Sequence, residues 1–235
     1  STYISSIKFH PADSKIFYYG VSSARDSKTG RHFGSPGFDT GLYTTKDGGK
    51  TVKKISGLEI LTFRPEQEFV SKKTQLEVYD VLVHPAKPNI ILVGTASEGI
   101  FRSEDGGKTW QESNNGIPKE GFYWNVNFDG PDMDELERRC KEGSEKILHS
   151  ECFYYATRTS MNLFVNPHAE NEIWYTTLEG VFVSRDLGKT WQWLSDDLRN
   201  IHTHFMAFDP SDKNIIYGGT HQGAIDKNGN VVDSS

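Results

Sequence analysis

The sequence is poor in cysteine and methionine and has no long apolar segment. Only two of its 235 residues are cysteine and three are methionine. Two cysteines are too few for a small domain stapled by several disulfides. No apolar run approaches the roughly 18 residues that a membrane-spanning helix needs. The sequence therefore predicts a chain whose core is made by apolar packing, with no membrane span.

An excess of positive charge is also lacking. The chain has 26 Lys and Arg against 32 Asp and Glu, which gives a net charge of −6. A nucleic-acid-binding surface needs a basic patch, so no nucleic-acid partner is expected. The length suits one large all-β domain. The chain begins at Ser1 without a methionine or a signal-like apolar stretch, which indicates a processed mature form or a fragment.

A short motif occurs three times in the chain. In each copy a Ser or Thr is followed by Asp, Gly, Thr and then Trp or Val at fixed offsets, at Thr45–Val52, Ser103–Trp110 and Ser184–Trp191. A short carboxylate can accept hydrogen bonds from the amides of a tight turn, and glycine supplies the positive φ. The pattern predicts turns between antiparallel strands, in which the structural residues are Asp47, Asp105, Trp110, Asp186 and Trp191.

With these three motifs the chain resembles the Asp-box β-propellers, whose motif is also called the bacterial neuraminidase repeat. That superfamily includes sialidases, xyloglucan-hydrolysing glycosidases, the sortilin ectodomain and photosystem assembly factors. The resemblance implies an all-β propeller of four-stranded antiparallel blades, an extracellular or periplasmic location, and a box that lies away from any catalytic centre. It does not define the function, because one fold hosts many activities.

The repeats predict one propeller domain over residues 1–235, or a fragment of a propeller, with four recognisable blades. Each unit has strand patterns around a proline turn and a box, and the blades cover about 4–55, 76–112, 161–194 and 203–233. An insertion at 113–160 separates the second and third blades, and its residues 132–143 predict a short amphipathic helix. An open arc of blades leaves uncovered edges, so missing blades or a second chain are expected to complete the ring.

The proline turns and the Asp boxes are expected on one face of the blades, because successive antiparallel strands reverse direction. Three long insertions fall in the other connections, at Ser22–Thr40, Ser56–Gln75 and Ser113–Ser160. We call the side that carries them the loop-rich face. Long loops on a rigid scaffold commonly carry binding or catalysis, so the function is predicted there.

Residues near the start of each inner strand are expected at the mouth of the central channel on this face. Together with an aromatic of the longest insertion, the predicted ligand-binding residues are Tyr79, Asp80, Trp124, Asn162, His202 and His204. The aromatic stretch 121–128 suits a sugar platform or a protein contact. It equally suits packing of the insertion onto the blades.

Candidates for catalysis and metal binding are few. Glycoside hydrolysis requires two carboxyl groups across a cleft, for which Asp80 is the first candidate and Glu77 or Asp129 the second, although no spacing supports a pair. Sialidase chemistry is not expected, since Phe63–Pro65 follows the first box and lacks the aliphatic residue of the family's Phe-Arg-Ile-Pro type motif. His202 and His204 share one strand face but have no third ligand, so neither a metal nor another cofactor is predicted.

The two cysteines, Cys140 and Cys152, belong to the same insertion. A disulfide between them would indicate an oxidising compartment; the alternative is two unpaired thiols, since spacing alone does not fix pairing. The sequence thus favours a non-catalytic binding or scaffolding module for a protein or carbohydrate ligand. The alternative is a secreted glycoside hydrolase of the Asp-box propeller type that acts on a polysaccharide.

Overall fold

The structure of the chain is a computed structural model. It describes residues 2–23, 39–61, 73–96, 98–118, 121–125, 152–156, 160–177, 180–194, 203–220, 224–225 and 231–232. Every regular element within these ranges is a β-strand. Accordingly, the described residues contain no helix that is long and apolar enough to cross a membrane.

The described strands alternate along the chain with short turns and longer connections. In chain order they are β1 (Thr2–His10), β2 (Asp13–Ser23), β3 (Gly41–Thr45), β4 (Lys53–Lys54), β5 (Glu59–Leu61), β6 (Lys73–Gln75), β7 (Val78–Val83), β8 (Ile91–Thr95), β9 (Ile100–Ser103), β10 (Gln111–Glu112), β11 (Gly121–Asn125), β12 (Cys152–Ala156), β13 (Ser160–Val165), β14 (Ile173–Thr177), β15 (Gly180–Ser184), β16 (Gln192–Trp193), β17 (Thr203–Phe208), β18 (Ile216–Thr220), β19 (Ala224–Ile225) and β20 (Val231–Val232).

Three antiparallel four-stranded sheets dominate the described residues, each with its strands in sequence order. We call them blade 1 (β1–β4), blade 2 (β7–β10) and blade 3 (β13–β16). The pair β17–β18 follows in the position of the predicted fourth unit and is called blade 4, while β5–β6, β11–β12 and β19–β20 form small separate pairs. The prediction of an all-β fold of four-stranded antiparallel blades with Asp-box turns is confirmed.

The first strands of neighbouring blades contact one another in succession, β1 with β7, β7 with β13, and β13 with β17. Apolar side chains alternate along the strands and fill the spaces between blades. In blade 2, for example, Val81 and Phe101 belong to the core shared with blade 1. Leu82 and Ile100, one residue along each strand, belong to the core shared with blade 3. The blades therefore stack face to face around their first strands.

The Asp boxes lie beside the proline turns of their own blades. In blade 1 the N–H of Gly48 donates to the carbonyl of Lys15 at 2.9 Å, and in blade 2 Gly106 donates in the same way to Asn89 at 2.9 Å. In blade 3 the donor is Leu187, which adopts a φ of 63° where the other boxes have glycine. Both kinds of turn thus occupy one face, as the strand directions predicted.

Candidate functional site

The box of blade 2 is held by hydrogen bonds inside the turn. The hydroxyl of Ser103 donates to Oδ1 of Asp105 at 2.8 Å and accepts the N–H of Gly107 at 2.8 Å. Asp105 also accepts the N–H of Thr109 at 2.9 Å and its hydroxyl at 2.6 Å. These bonds, led by those from Thr109, hold the pKa of Asp105 well below its ordinary value. Asp47 and Asp186 make the same contacts in their boxes.

The tryptophan that ends a box packs toward the preceding blade. Trp191 is buried at 2% exposure, and its Nε1–H donates to the carbonyl of Ser113 at 2.8 Å. Trp110 packs against the core between blades 1 and 2. Val52, which replaces tryptophan in the first box, is instead 45% exposed. Each box with a tryptophan therefore combines a hydrogen-bonded turn with an aromatic side chain that packs between two blades.

Asp80 lies on β7 with only 3% of its surface exposed. The hydroxyl of Ser6 in blade 1 donates to Oδ1 of Asp80 at 2.6 Å, and the N–H of Leu163 in blade 3 donates to Oδ2 at 2.8 Å. Lys8 of blade 1 lies 3.9 Å from the same carboxylate. Burial raises the pKa of Asp80, and Lys8 and the hydrogen bonds oppose that rise. One carboxylate thus connects three blades.

The other predicted residues near Asp80 lie on the inner strands or immediately before them. Glu77 is 7% exposed and its carboxylate accepts a hydrogen bond from Ser22 of blade 1 at 3.1 Å. Tyr79 and Asn162 are half-buried on β7 and β13, and the N–H of Asn162 donates to Oγ1 of Thr176 at 3.0 Å. The structure therefore places Tyr79, Asp80 and Asn162 on two adjacent inner strands.

The remaining predicted residues are described in part or not at all. Trp124 pairs with Phe153 between β11 and β12, and His204 lies on β17, but only their backbones are described. Cys152 begins β12, again as backbone only. The residues that lie outside the described ranges are His202, Asp129, Cys140, Phe63–Pro65 and the predicted helix at 132–143. Among the described residues no group of three or more His, Cys, Asp or Glu side chains is arranged to hold a metal ion.

Two histidines make contacts between blades that the sequence did not predict. His84 is fully buried, its Nδ1 accepts the N–H groups of Ala86 and Lys87, and its Nε2–H donates to the carbonyl of Glu170 in blade 3 at 2.8 Å. His168 of blade 3 contacts the carbonyl of Asp209 in blade 4 at 2.7 Å through Nε2. The turn contacts of His84 reach only two and three residues along the chain, whereas the bond to the next blade has no local signal in the sequence.

A polar cleft of about 400 Å³ lies between the boxes of blades 2 and 3, on the face of the turns. Arg102 in this cleft is 9% exposed and donates to the carbonyl of Leu187 at 2.7 Å. Its guanidinium also pairs with Glu104 at 2.6 Å, and Lys189 lies 3.5 Å from the same carboxylate. These charges are paired with one another across the two blades, so the cleft is an interblade ion-pair network.

The family model for the BNR/Asp-box repeat matches residues 101–112, which contain the second box. No curated protein sequence matches the chain significantly. Among solved structures, an ancestral GH74 enzyme is similar at 17% identity and a TM-score of 0.47, over 98% of this chain and 26% of that one. The chain therefore spans about a quarter of the length of that enzyme.

Two further similar structures are YCF48 proteins. YCF48 bound to D1 peptide shows 13% identity and a TM-score of 0.27, over 93% of this chain and 75% of that one. YCF48 from Cyanidioschyzon merolae shows 15% identity and a TM-score of 0.26, over 94% and 80% of the two chains. The matched repeat lies in one of the three boxes, and the four-stranded sheets agree with the fold that the boxes predict.

Proposed function

We propose that this Asp-box β-propeller chain is a non-catalytic binding or scaffolding module, which contacts a protein or carbohydrate ligand through its loop-rich face. The observation that carries the proposal is how the carboxylate of Asp80 is hydrogen-bonded. Both of its carboxylate oxygens accept hydrogen bonds from neighbouring blades.

A glycosidase acid must reach the glycosidic oxygen of a substrate, and its partner must lie across the same cleft. Asp80 is 3% exposed and Glu77 is 7% exposed. Each also accepts a hydrogen bond from a serine of blade 1. The two predicted acids that lie in the described residues therefore make contacts between blades, which supports binding over hydrolysis.

The loop-rich face is supported by the connections between second and third strands. In blade 2 this connection is short, and the hydroxyl of Thr95 donates to the carbonyl of Gly99 at 2.9 Å. In blade 3 Thr177 donates to Gly180 in the same way at 3.1 Å. In blade 1 the connection runs from Ser23 to Gly41. Blade 1 therefore has a longer connection than blades 2 and 3 on the loop-rich face. Long connections of this kind supply contact surface for a ligand.

The ligand is tested by titrating the chain with xyloglucan oligosaccharides and with a peptide library, and by assaying xyloglucan for new reducing ends. We expect saturable binding of one probe without hydrolysis. Trp124→Ala is expected to weaken that binding at least tenfold, because a flat aromatic face contributes most to sugar and protein contacts. The matched controls Lys50→Glu and Lys108→Glu change exposed residues of the Asp boxes and are expected to bind normally.

Two results would contradict the proposal. The first is any release of reducing ends: loss of that release in Asp80→Ala would make Asp80 catalytic, and release that survives the change would indicate a glycoside hydrolase whose acids lie elsewhere, with Asp129 as the first residue to test. Binding that survives Trp124→Ala and disappears with the lysine variants would move the working surface to the face of the boxes.

We further propose an extracellular or periplasmic location, which rests on the family resemblance and would be supported by a Cys140–Cys152 disulfide. We also propose that further blades or a second chain complete the ring.

A further inference from the structure

The segment that follows β10 holds blade 2 against the box of blade 3. The hydroxyl of Ser113 donates to the carbonyl of Gly188, and the carbonyl of Ser113 accepts Nε1–H of Trp191 at 2.8 Å. The main-chain N–H of Trp191 donates to the carbonyl of Asn115 at 2.8 Å. We call residues 113–116 the junction segment. A change in its main chain would therefore reach the contact between the two blades.

The junction segment turns sharply at Asn115 and Gly116. The N–H of Ile117 donates to the carbonyl of Asn114 at 2.9 Å, and Gly116 has a φ of 91°. A type II turn needs such a positive φ at its third residue. A Cβ at Gly116 would also collide with the main-chain oxygen of Trp191. Both the turn and the packing against blade 3 therefore require glycine directly after Asn115.

The side chain of Asn115 is exposed and makes no hydrogen bond to any described residue, and the N–H of Gly116 likewise donates to none of them. The adjacent Asn114 is the contrast. It is buried, its Oδ1 accepts the N–H of Ile100 at 2.8 Å, and its Nδ2 donates to the carbonyl of Glu98 at 2.9 Å. Of two neighbouring amides, one is therefore fixed and the other is free to rotate.

An exposed asparagine followed by glycine can lose its side-chain amide without an enzyme. The main-chain nitrogen of the glycine, which no Cβ shields, attacks Cγ of the asparagine. A bond forms between that nitrogen and Cγ, the bond between Cγ and Nδ2 breaks, and ammonia leaves with the proton of the attacking nitrogen. Water then opens the cyclic imide at either carbonyl and gives aspartate or isoaspartate. The reaction consumes water and needs no oxidant or reductant.

The Asp-Gly pairs of the first two boxes are protected against the corresponding reaction. In blade 2 the N–H of Gly106 donates to the carbonyl of Asn89 at 2.9 Å, and Thr109 donates to both carboxylate oxygens of Asp105. The box of blade 1 repeats both contacts. The attacking nitrogen and the group that it would attack are thus both held in these boxes, whereas both are free at Asn115.

We propose that Asn115–Gly116 is a site of spontaneous deamidation, whose isoaspartate product loosens the contact between blades 2 and 3. In isoaspartate the main chain runs through Cγ, so the carbonyl that accepts the N–H of Trp191 becomes a free carboxylate outside the main chain. The turn also gains a methylene group and a negative charge beside a buried tryptophan. The site arises from the packing of the junction segment, so it stands independently of the proposed ligand.

The test follows the folded chain during prolonged incubation at neutral pH. Peptide mapping by chromatography and mass spectrometry separates the asparagine, aspartate and isoaspartate forms, and methylation by an isoaspartyl methyltransferase measures isoaspartate independently. We expect Asn115 to react at least about tenfold faster than Asn89, which is also exposed but is followed by Ile90, whose branched side chain restricts the approach of its nitrogen. Asn114 lies beside Asn115 and is expected to keep its amide.

Asn115→Gln is the matched variant, because it keeps an exposed amide while its longer side chain closes the ring far more slowly. The urea midpoint of the wild type should fall as isoaspartate accumulates, and that of Asn115→Gln should stay constant over the same incubation. An Asn115 that keeps its amide, or that reacts no faster than Asn89 in the folded chain, would overturn the site. A wild-type midpoint that does not change, or an equal fall in Asn115→Gln, would overturn the loosening of the junction.

Discussion

The N–H of Leu163 in blade 3 donates a hydrogen bond to Oδ2 of Asp80 in blade 2 at 2.8 Å. Oδ1 of the same carboxylate accepts the hydroxyl of Ser6 in blade 1 at 2.6 Å. A side chain that the sequence suggested for ligand contact or acid catalysis is therefore the link between three blades. Its ligand role remains a prediction, and its structural role has a direct test.

Asp80→Ala is expected to lower the free energy of unfolding by about 1–3 kcal/mol, because the N–H of Leu163 would lose its buried acceptor. Urea denaturation followed by tryptophan fluorescence measures the change. Ser6→Ala and the double variant complete a cycle, in which a coupling of at least about 0.5 kcal/mol is expected for groups in contact. Glu112→Ala, at an exposed carboxylate of the same blade, is the control. Additive effects of the two changes would argue against the link.

His84→Phe and His10→Phe form a matched pair at equivalent positions before proline. His84 is fully buried and bonded to blade 3 through Nε2, whereas the Nδ1 of His10 accepts the N–H of Ala12 at 3.2 Å in an exposed turn. We expect His84→Phe to cost about 1–3 kcal/mol through unsatisfied buried groups and His10→Phe to cost less than about 0.5 kcal/mol. Thermal unfolding by circular dichroism compares the two. Equal losses would mean that the interblade bond contributes nothing measurable.

Gly94→Ala is expected to destabilise the contact between blades 2 and 3. A Cβ at Gly94 would lie 2.6 Å from the hydroxyl oxygen of Ser160 and 2.7 Å from its Cβ, so one strand must shift. We expect the free energy of unfolding, measured by urea denaturation, to fall by about 1–3 kcal/mol, which is typical of an overpacked core. The double variant Gly94→Ala with Ser160→Gly should restore part of it, since it removes the atoms that clash. No recovery in the double variant would contradict this close approach.

The Asp boxes should make the fold sensitive to acid. Hydrogen bonds, led by the hydroxyl of Thr51, lower the pKa of Asp47 from 3.8 to about 2, and Asp105 shifts in the same direction. A folded-state pKa below the unfolded one means that the stabilisation is complete above about pH 4 and is lost as the pH falls toward about 2. Asp80, whose pKa burial raises, has the opposite sign and loses its contribution as the pH rises through its folded-state pKa.

The measurement is the urea midpoint at several pH values between neutral and about pH 2. We expect the midpoint of the wild type to fall on acidification and that of Asp47→Asn to fall less, because an amide does not titrate. Both proteins share Asp80, so its contribution cancels in the comparison. Identical slopes for the two proteins would show that the box carboxylate does not carry the acid sensitivity.

The cysteine prediction is tested by intact mass. If Cys140 and Cys152 are bridged, alkylation under denaturing conditions without reductant should leave the mass unchanged, and reduction followed by alkylation should add two groups. Alkylation of both residues without reductant would show two thiols and remove that argument for an extracytoplasmic location.

Much of the fold was predictable because its signals are local. The bonds of Asp105 reach only four residues, to Thr109, so the box could be recognised wherever its letters occur. The proline turns and the alternation of Val81 and Val83 with their neighbours likewise depend on contacts within one strand or turn. Because antiparallel strands reverse at each turn, these elements also placed the boxes and proline turns on one face.

The candidate site depended on contacts that sequence spacing does not encode. Asp80 meets Ser6 across 74 positions and Leu163 across 83, and His84 meets Glu170 across 86. The same aspartate could equally have faced the open channel, and only the neighbouring blades decided its burial. The residue type identified Asp80 as a candidate, but the sequence could not predict that it links the blades.

The sequence by itself determined the repeated unit, its turns and the side of the blades that carries the long insertions, because hydrogen bonds within a turn and alternation within a strand are fixed over a few residues. Only the tertiary structure decided which apolar side chains are covered. Tyr43 and Phe101 are both aromatic and pair with equivalent residues of the second strand, yet Phe101 is buried against blade 1 while Tyr43 is half-buried. The physical reason is that a side chain of one blade is buried only where a neighbouring blade packs against it.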